Sequence, residues 1–179
     1  MPEIEIRPAR SDDIEPITEL EHNFYSDYVW QMDIRQIEGE ANILFREVRL
    51  PRSTHVSYPK PVKDLKDEWT KRDGLLVADL RGQIIGYISL NKVTGLRTTW
   101  VSDVAVKNVY RRQGIGSALV IAAQEWAMQN SCGRLILEMQ PKNYPTIQLA
   151  KKLGFDLCGY NDHYYANNDI ALFFAKWLG

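Results

Sequence analysis

The segment from Val101 to Ser117 holds the residue types and spacing that most clearly predict chemistry. An apolar stretch leads through a short turn into Arg111-Arg112-Gln113-Gly114-Ile115-Gly116, and a helical pattern begins directly there. The first amides of a helix lack partners within the helix and, together with the helix dipole, attract anions. Glycines let a phosphate approach the backbone closely. The segment therefore predicts a site for a phosphate or pyrophosphate, with the two arginines adding positive charge.

Two common nucleotide-binding motifs do not fit the same residues. A P-loop ends in Gly-Lys-Ser/Thr, whereas Gly116 is followed directly by Ser117. A dinucleotide-binding fold needs a third glycine, and position 119 is Leu119. A helix that merely begins with Gly-Ile-Gly and binds nothing stays open as the simpler interpretation.

The elements that must position this segment follow from hydrophobic periodicity and from the placement of Gly and Pro. We expect a single α/β domain over residues 1–179, with no repeat or linker. The expected elements are a strand at Ile4–Arg7, a helix from Ser11 to about His22, a second helix over about Tyr28–Phe45, a loop or extended segment at Leu50–Val62, a hairpin of Leu75–Ala78 and Ile84–Leu90 with Gly82 in its turn, a strand at Thr98–Val106, a helix over about Gly114–Asn130, a strand at Leu135–Met139, a helix capped by Asn143 and ended by Gly154, and strands at His163–Ala166 and Ile170–Lys176.

The pattern Arg-x-x-Gly-x-Gly after an apolar strand resembles the acetyl-CoA signature of the GNAT superfamily of N-acetyltransferases. A second block, Leu137-Glu138-Met139 followed by Asn143 and by Leu153-Gly154-Phe155, lies in that family's order and spacing. The resemblance implies an α/β fold with a central mixed, mostly antiparallel sheet, splayed parallel strands and flanking helices. The stretch from Tyr110 to Phe174 looks most like the streptothricin-type antibiotic acetyltransferases.

The resemblance also implies which residues bind acetyl-CoA, as a co-substrate and without a metal. Backbone amides of the loop would wrap the pyrophosphate, one strand would pair with the pantetheine arm, and Asn143 would bond the pantetheine. The residues are Val104, Ala105, Val106, Arg111, Arg112, Gln113, Gly114, Ile115, Gly116, Ser117 and Asn143. Side chains alternate along a strand, so Asp103 and Ala105 share one face. Which face lines the thioester slot stays open at this stage.

Acetyl transfer to an amine needs an unprotonated nucleophile, but a lysine-like amine has a pKa of about 10 and is mostly charged at neutral pH. A carboxylate can accept that proton, directly or through water. Glu138 is the first candidate because it interrupts an apolar strand beside the slot, and its position resembles that of the base in ribosomal-protein alanine acetyltransferases. Asp103 is the second candidate. Neutralisation of Glu138 by a neighbouring Arg or Lys is the alternative interpretation.

The family often places a tyrosine seven residues after Asn143 as the acid for the leaving thiolate, and that position here is Ala150. Tyr144, Tyr160, Tyr164, Tyr165 or water would have to substitute, and a thiolate leaves tolerably without strong acid help. A covalent route through Cys132 or Cys158 lacks a recognisable activating histidine, so two buried thiols are expected.

Aromatic and acidic residues suggest where an amine acceptor would bind. Phe24, Tyr25, Tyr28 and Trp30, with Asp27 and Asp33, could form a pocket for a cation, and Tyr164-Tyr165 with Asp162 and Asp169 allow the same interpretation. Filling of the core is the alternative for both groups. We therefore expect transfer to a small cationic amine, with a peptide or protein N-terminus, or a non-catalytic acyl-CoA-binding module, as alternatives.

Composition narrows the remaining partners. The 179 residues carry a net charge of −1 with 25% charged and 45% hydrophobic residues, which argues against a nucleic-acid or polybasic membrane partner. No apolar run reaches the roughly 18 residues of a spanning helix, and the polar start MPEIEIRPAR is unlike a signal peptide. A cytoplasmic protein without a metal site is expected. The resemblance adds homodimerisation as a possibility.

Overall fold

Strands and helices alternate along the chain in the computed structural model, which describes residues 3–179. The elements are β1 (Ile4–Pro8), α1 (Ile14–Thr18), β2 (Phe24–Ile37), β3 (Glu40–Val56), α2 (Val62–Glu68), β4 (Gly74–Leu80), β5 (Gln83–Val93), β6 (Thr98–Val106), α3 (Ile115–Gln129), β7 (Arg134–Met139), α4 (Tyr144–Lys152), β8 (Asp156–Asn161) and β9 (Ala171–Trp177). Within this described part, no helix has both the length and the apolar character needed to cross a membrane.

Seven strands form one sheet in the order β1-β4-β5-β6-β7-β9-β8, and β2 and β3 form a separate two-stranded sheet. β6 and β7 run parallel, and the other neighbours in the large sheet are antiparallel. The expectation of a mixed, mostly antiparallel sheet is confirmed. The β4–β5 hairpin is confirmed as well, with Arg81 and Gly82 at φ of 52° and 88° in its two-residue turn.

Helices cover both faces of the large sheet. Side chains alternate along its strands, and apolar side chains on both faces need to be covered. In β4, Leu76 and Ala78 join the core that packs under α3 and α4. Their neighbours Leu75 and Val77 join a second core with α1 and α2. The sheet is thus buried on two sides, and its strand ends are the places where side chains can reach a ligand.

The parallel strands β6 and β7 separate partway along their length. They are paired from Thr98 with Arg134 to Val101 with Leu137 and no further. On the other side of β6, Leu90 pairs with Val101 and Ser89 with Asp103, so Ser102 is the extra residue of a β-bulge. β6 continues past this bulge to Val106 without β7 beside it. The splay that the family resemblance implied is therefore present.

The predicted second helix over Tyr28–Phe45 is wrong. These residues lie in the β2–β3 hairpin, whose pairing runs from Phe24 with Val56 to Ile37 with Glu40. Aromatic and branched side chains recur there at every second position, a period that suits a strand rather than a helix. Gly39, at φ of 80°, closes the turn. The segment Leu50–Val62, expected to be a loop or extended, continues as strand to Val56 and then leads into α2.

Two further boundaries differ from the sequence expectation. The first helix ends at Thr18 rather than near His22, and a 3-10 turn at Ser11–Asp13 precedes it. The predicted strand at His163–Ala166 is wrong, since the penultimate strand is β8. His163 has a φ of 51°, and the backbone amides of Tyr164 and Tyr165 both donate to Asp169 O, which turns this segment back on itself.

Candidate active site

The Gly-rich loop leads directly into α3, as predicted. Arg112 and Gly114 have φ of 65° and 86°, and α3 begins at Ile115. A Cβ built on Gly114 would meet nothing within 4 Å, so glycine is needed there for its backbone conformation rather than for space. Ile115 is buried, whereas Arg112, Gln113 and Gly114 are exposed. The loop therefore presents backbone to solvent at the start of a 15-residue helix.

Arg111 anchors this loop through hydrogen bonds from its guanidinium to backbone oxygens. Its Nε donates to Val106 O at 2.9 Å, and its Nη2 donates to Glu21 O at 2.6 Å and to Asn23 O at 3.3 Å. Burial lowers the pKa of this guanidinium from its usual value. Arg111 thus ties the end of β6 to the segment after α1. Arg112, which is exposed, is the better-placed of the two arginines to meet an anion.

The end of β6 offers an open backbone edge beside the loop. Gly86, Tyr87 and Ile88 of β5 pair with one edge of Val104–Val106, while pairing with β7 has already stopped at Val101. The two faces of β6 pack toward different helices. Val104 packs toward α3 and α4, whereas Ala105 packs toward α1 and α2, so Asp103 lies on the latter side.

Glu138 is the first residue of β7 beyond the last β6–β7 pair. Its side chain is 3% exposed. Oε2 accepts hydrogen bonds from Trp100 Nε1 at 2.8 Å and from the Tyr164 hydroxyl at 3.0 Å. Oε1 accepts no hydrogen bond from any of residues 3–179. Oε2 is held by two donors, whereas Oε1 is buried without a hydrogen-bond donor.

Asp103 lies across the split and is more fully engaged. Its side chain is 2% exposed. Oδ1 accepts a hydrogen bond from the Tyr58 hydroxyl, and Oδ2 accepts from Ser102 Oγ at 3.0 Å and from Arg72 Nη1 at 3.5 Å. Burial and the negative charge of Asp103 raise the pKa of Tyr58. Hydrogen bonds to both oxygens therefore fix this carboxylate in place.

Lys60 connects the two carboxylates. Its Nζ lies 3.2 Å from Glu138 Oε1 and 3.5 Å from Asp103 Oδ1. It also donates to the backbone oxygen of Ser102, the bulge residue, at 2.8 Å. The contact with Oε1 is an ion pair whose angles do not make it a hydrogen bond. One ammonium group thus stands at the split, between both predicted acids.

A cavity of about 460 Å³ opens beside Lys60. Its walls are residues 58–61, the α2 acids Asp64 and Glu68, Arg72, and Tyr164 and Tyr165. Glu68 is partly offset by Lys71, 3.0 Å away. The lining combines three tyrosine rings with two acids and with two bases, Lys60 and Arg72. Its aromatic faces suit a cationic ligand.

The two aromatic groups proposed from the sequence have different fates. Tyr164 and Tyr165 line the cavity, and burial together with Glu138 raises the pKa of Tyr164 to about 12. The β2 group lies elsewhere, since Trp30 packs on Phe174 with ring centroids 5.5 Å apart, and Tyr28 stacks on Tyr144 at 4.6 Å. Its proposed role as the acceptor pocket is not carried by this geometry.

The tyrosines considered as replacements for the acid at Ala150 are distributed around α4 and the split. Ala150 itself is fully buried in the core. Tyr160 packs edge-on against Phe45 with centroids 5.6 Å apart. Tyr144 stands at the start of α4, next to Asn143, whose Oδ1 accepts from Thr146 N at 3.2 Å. Asn143 is therefore the helix cap that the sequence predicted.

Several residues of this site were missed by sequence reasoning. Tyr58 and Lys60 lie in a segment predicted as a loop or extended, Arg72 belongs to no motif, and Trp100 was predicted only as part of a strand. The available signal was local: Pro59 and Pro61 flank Lys60 and restrict its backbone. The contacts of these residues with Asp103 and Glu138 join positions more than 25 apart in the sequence, so periodicity does not reveal them.

Two cysteines and a histidine are further reactive side chains. Cys132 is buried, as expected, but Cys158 is exposed, which corrects the expectation of two buried thiols. His22 packs against Tyr58 and Tyr87. Among residues 3–179, no three His, Cys, Asp or Glu side chains are placed to hold a metal ion.

The sequence profile of the acetyltransferase (GNAT) family matches residues 42–155, which is more than half of the chain. The chain belongs to this family. It is an acetyl-CoA-dependent N-acetyltransferase, as the loop and the two sequence blocks predicted.

Two relatives and one solved structure indicate the range of similarity. An N-alpha-acetyltransferase from Sulfurisphaera tokodaii is 35% identical over 114 residues, covering 57% of this chain and 68% of the relative. A streptothricin acetyltransferase from Streptomyces lavendulae is 25% identical over 165 residues, covering 90% and 86%. The crystal structure of a nourseothricin acetyltransferase superimposes with a TM-score of 0.83 at 24% identity, covering 98% and 99%.

Proposed function

We propose that this protein transfers the acetyl group of acetyl-CoA to a primary amine of a small cationic molecule, by direct attack in a ternary complex. The observation that carries the proposal is the ammonium of Lys60 between Glu138 and Asp103 at the β6–β7 split. The site already accommodates one alkylammonium beside a buried carboxylate. A substrate ammonium needs the same surroundings before it loses its proton.

The cofactor side of the site fits acetyl-CoA, which supplies the activated thioester. The exposed loop amides and the start of α3 suit the pyrophosphate, with Arg112 at the rim. The open edge of Val104–Val106 suits the amides of a pantetheine arm. The capping bond of Asn143 uses Oδ1, so a contact with pantetheine would fall to its Nδ2.

Glu138 is the better general base of the two acids. Trp100 and Tyr164 hold Oε2 and thereby orient the carboxylate. Oε1 accepts no hydrogen bond within residues 3–179 and faces the Lys60 ammonium, which stands where the substrate amine would give up its proton. Asp103 accepts from three donors on its two oxygens, which suits a fixed negative charge that favours the substrate cation. The pair therefore divides into a base and an electrostatic partner.

The cavity beside Lys60 supports a small cationic acceptor. Asp64 and Glu68 provide negative charge, and Tyr58, Tyr164 and Tyr165 provide aromatic faces. The match to the streptothricin acetyltransferase also extends over 90% of this chain. A peptide N-terminus is the second candidate, because the N-alpha-acetyltransferase has the higher identity, at 35%, over a shorter stretch.

The decisive experiment measures thiol release from acetyl-CoA with streptothricin and, separately, with a short peptide bearing a free N-terminus. We expect turnover with streptothricin and little with the peptide. Glu138→Gln should lower kcat on the order of 10²–10⁴-fold while acetyl-CoA still binds, as judged by calorimetry. Exclusive peptide turnover would favour the second candidate. Full activity of the Glu138→Gln variant would exclude Glu138 as the base.

A further inference from the structure

Lys60 has the surroundings that the proposed mechanism requires of an acceptor amine. Its Nζ is 3.2 Å from Oε1 of the proposed base and 2.8 Å from the carbonyl oxygen of Ser102, at the point where β6 leaves β7. The side chain is 28% exposed, and Lys60 lines the cavity beside the split. No step of the proposed reaction uses this amine.

The backbone presents Lys60 in a restricted conformation. Pro59 and Pro61 flank it, and a residue before proline is excluded from helical geometry. Pro61 is also the residue from which α2 begins. The Tyr58 amide donates to Asn23 Oδ1 at 2.8 Å, which anchors the other side of the segment. Lys60 is therefore held over the split from both directions rather than reaching it from a mobile loop.

Other lysines with carboxylate partners differ from Lys60 in one decisive respect. Lys66 pairs with Glu15 at 2.6 Å, and Lys71 pairs with Glu68 at 3.0 Å. Both pairs are more than half exposed, and neither carboxylate is a candidate base. They show what an ordinary surface ion pair looks like in this protein. They also provide internal comparators for the reactivity of Lys60.

We infer that Lys60 is itself an acetyl acceptor, so that the enzyme acetylates its own active-site lysine when no external amine is bound. Lys60 Nζ gives a proton to Glu138 Oε1 and forms the bond to the acetyl carbonyl carbon. The C–S bond of acetyl-CoA breaks, and the second proton of the nitrogen passes to the sulfur, so coenzyme A leaves as the thiol. The product is a neutral amide at the split. The inference rests on the proposed function, because it uses the same base and the same co-substrate.

The test is peptide mapping by mass spectrometry after incubation of the purified protein with acetyl-CoA alone. We expect one acetyl group, located on Lys60, while Lys66 in the same molecule stays largely unmodified. Glu138→Gln should slow the labelling of Lys60 on the order of 10²–10⁴-fold and leave the slow labelling of Lys66 unchanged. Lys60→Arg should abolish the labelling at this position and still bind acetyl-CoA.

A parallel incubation of the unaltered protein with streptothricin separates this inference from the proposed function. External amine should suppress labelling of Lys60 while thiol is released. Turnover of streptothricin with no label on Lys60 in its absence would overturn the inference and leave the proposed function standing. Equal labelling of Lys60 and Lys66, or labelling indifferent to Glu138→Gln, would overturn it as well. Absence of acetyl-CoA binding by the folded protein would overturn both.

Discussion

The indole Nε1 of Trp100 donates a 2.8 Å hydrogen bond to Glu138 Oε2 across the parallel strands β6 and β7. Trp100 pairs with Ile136, two residues before Glu138, so the bond runs forward along the strands toward the split. The ring also packs against Phe173, which is the β9 partner of Glu138. The orientation of the proposed base is therefore set by the last strongly paired part of the sheet.

Trp100→Phe tests this orientation. The aromatic packing on Phe173 is retained, whereas the hydrogen bond to a charged group, worth about 1.5–3 kcal/mol, is lost. We expect kcat to fall about 10–100-fold with an unchanged Kd for acetyl-CoA. Trp177→Phe, at a side chain 76% exposed, is the matched control and should behave like the unaltered enzyme. Equal kcat for both variants would contradict the role of Trp100.

Asp103→Asn is expected to reduce stability. Asp103 accepts from Tyr58, Ser102 and Arg72, but an asparagine has a single acceptor oxygen, and its amide would oppose at least one of these donors. The loss should be about 1–3 kcal/mol, because a buried donor is left without a partner. Urea unfolding measures it. A urea midpoint equal to that of the unaltered protein would show that the negative charge of Asp103 does not stabilise the fold.

Gly114→Ala isolates the backbone requirement of the cofactor loop. The φ of 86° costs an alanine about 1–2 kcal/mol, and the added methyl group meets no atom within 4 Å. In the free variant the loop relaxes to a less strained conformation. Acetyl-CoA must then restore the positive φ at the expense of its binding free energy, so its Kd rises about 5–30-fold. Gly82→Ala carries the same strain at φ of 88° in the β4–β5 turn and should leave this Kd unchanged. Equal effects of the two substitutions would contradict the assignment of the loop.

His22 should make stability dependent on pH. Burial lowers its pKa, and its Nε2 lies 2.9 Å from the Tyr87 hydroxyl. The unfolded chain therefore binds a proton more readily than the folded protein, so stability is lost as pH falls below the ordinary histidine pKa of about 6.5. Urea unfolding between about pH 7.5 and 5.5 measures this loss, and His22→Gln should reduce it. The same pH dependence in both proteins would assign it to other groups.

The cofactor side of the site could be predicted from sequence because its signals are local. Gly114 and the periodicity that begins at Ile115 fix the loop and α3, and Asn143 caps α4 as expected. Splitting of β6 from β7 was available only through family resemblance. The two strands separate next to the β-bulge at Ser102, and no residue pattern in the sequence predicts this bulge.

The acceptor side could not be predicted, because its residues meet through tertiary contacts. Lys60 reaches Glu138 across 78 positions, and Arg72 reaches Ser102 across 30. The error at Tyr28–Phe45 had a different origin. Aromatic residues of this stretch lie at near-helical spacing as well as at alternate positions, and only the pairing of β2 with β3 distinguishes the two.

The two ends of the β2–β3 hairpin meet at one point of the fold. Phe24 pairs with Val56, and Asn23, just before β2, accepts from Arg111 through its backbone and from the Tyr58 amide through its side chain. A hairpin closed at its base in this way is fixed to the rest of the fold at its two ends and through the aromatic contacts of its inner face. Its length and outer surface can vary while the cofactor loop and the segment that carries Lys60 keep their spacing.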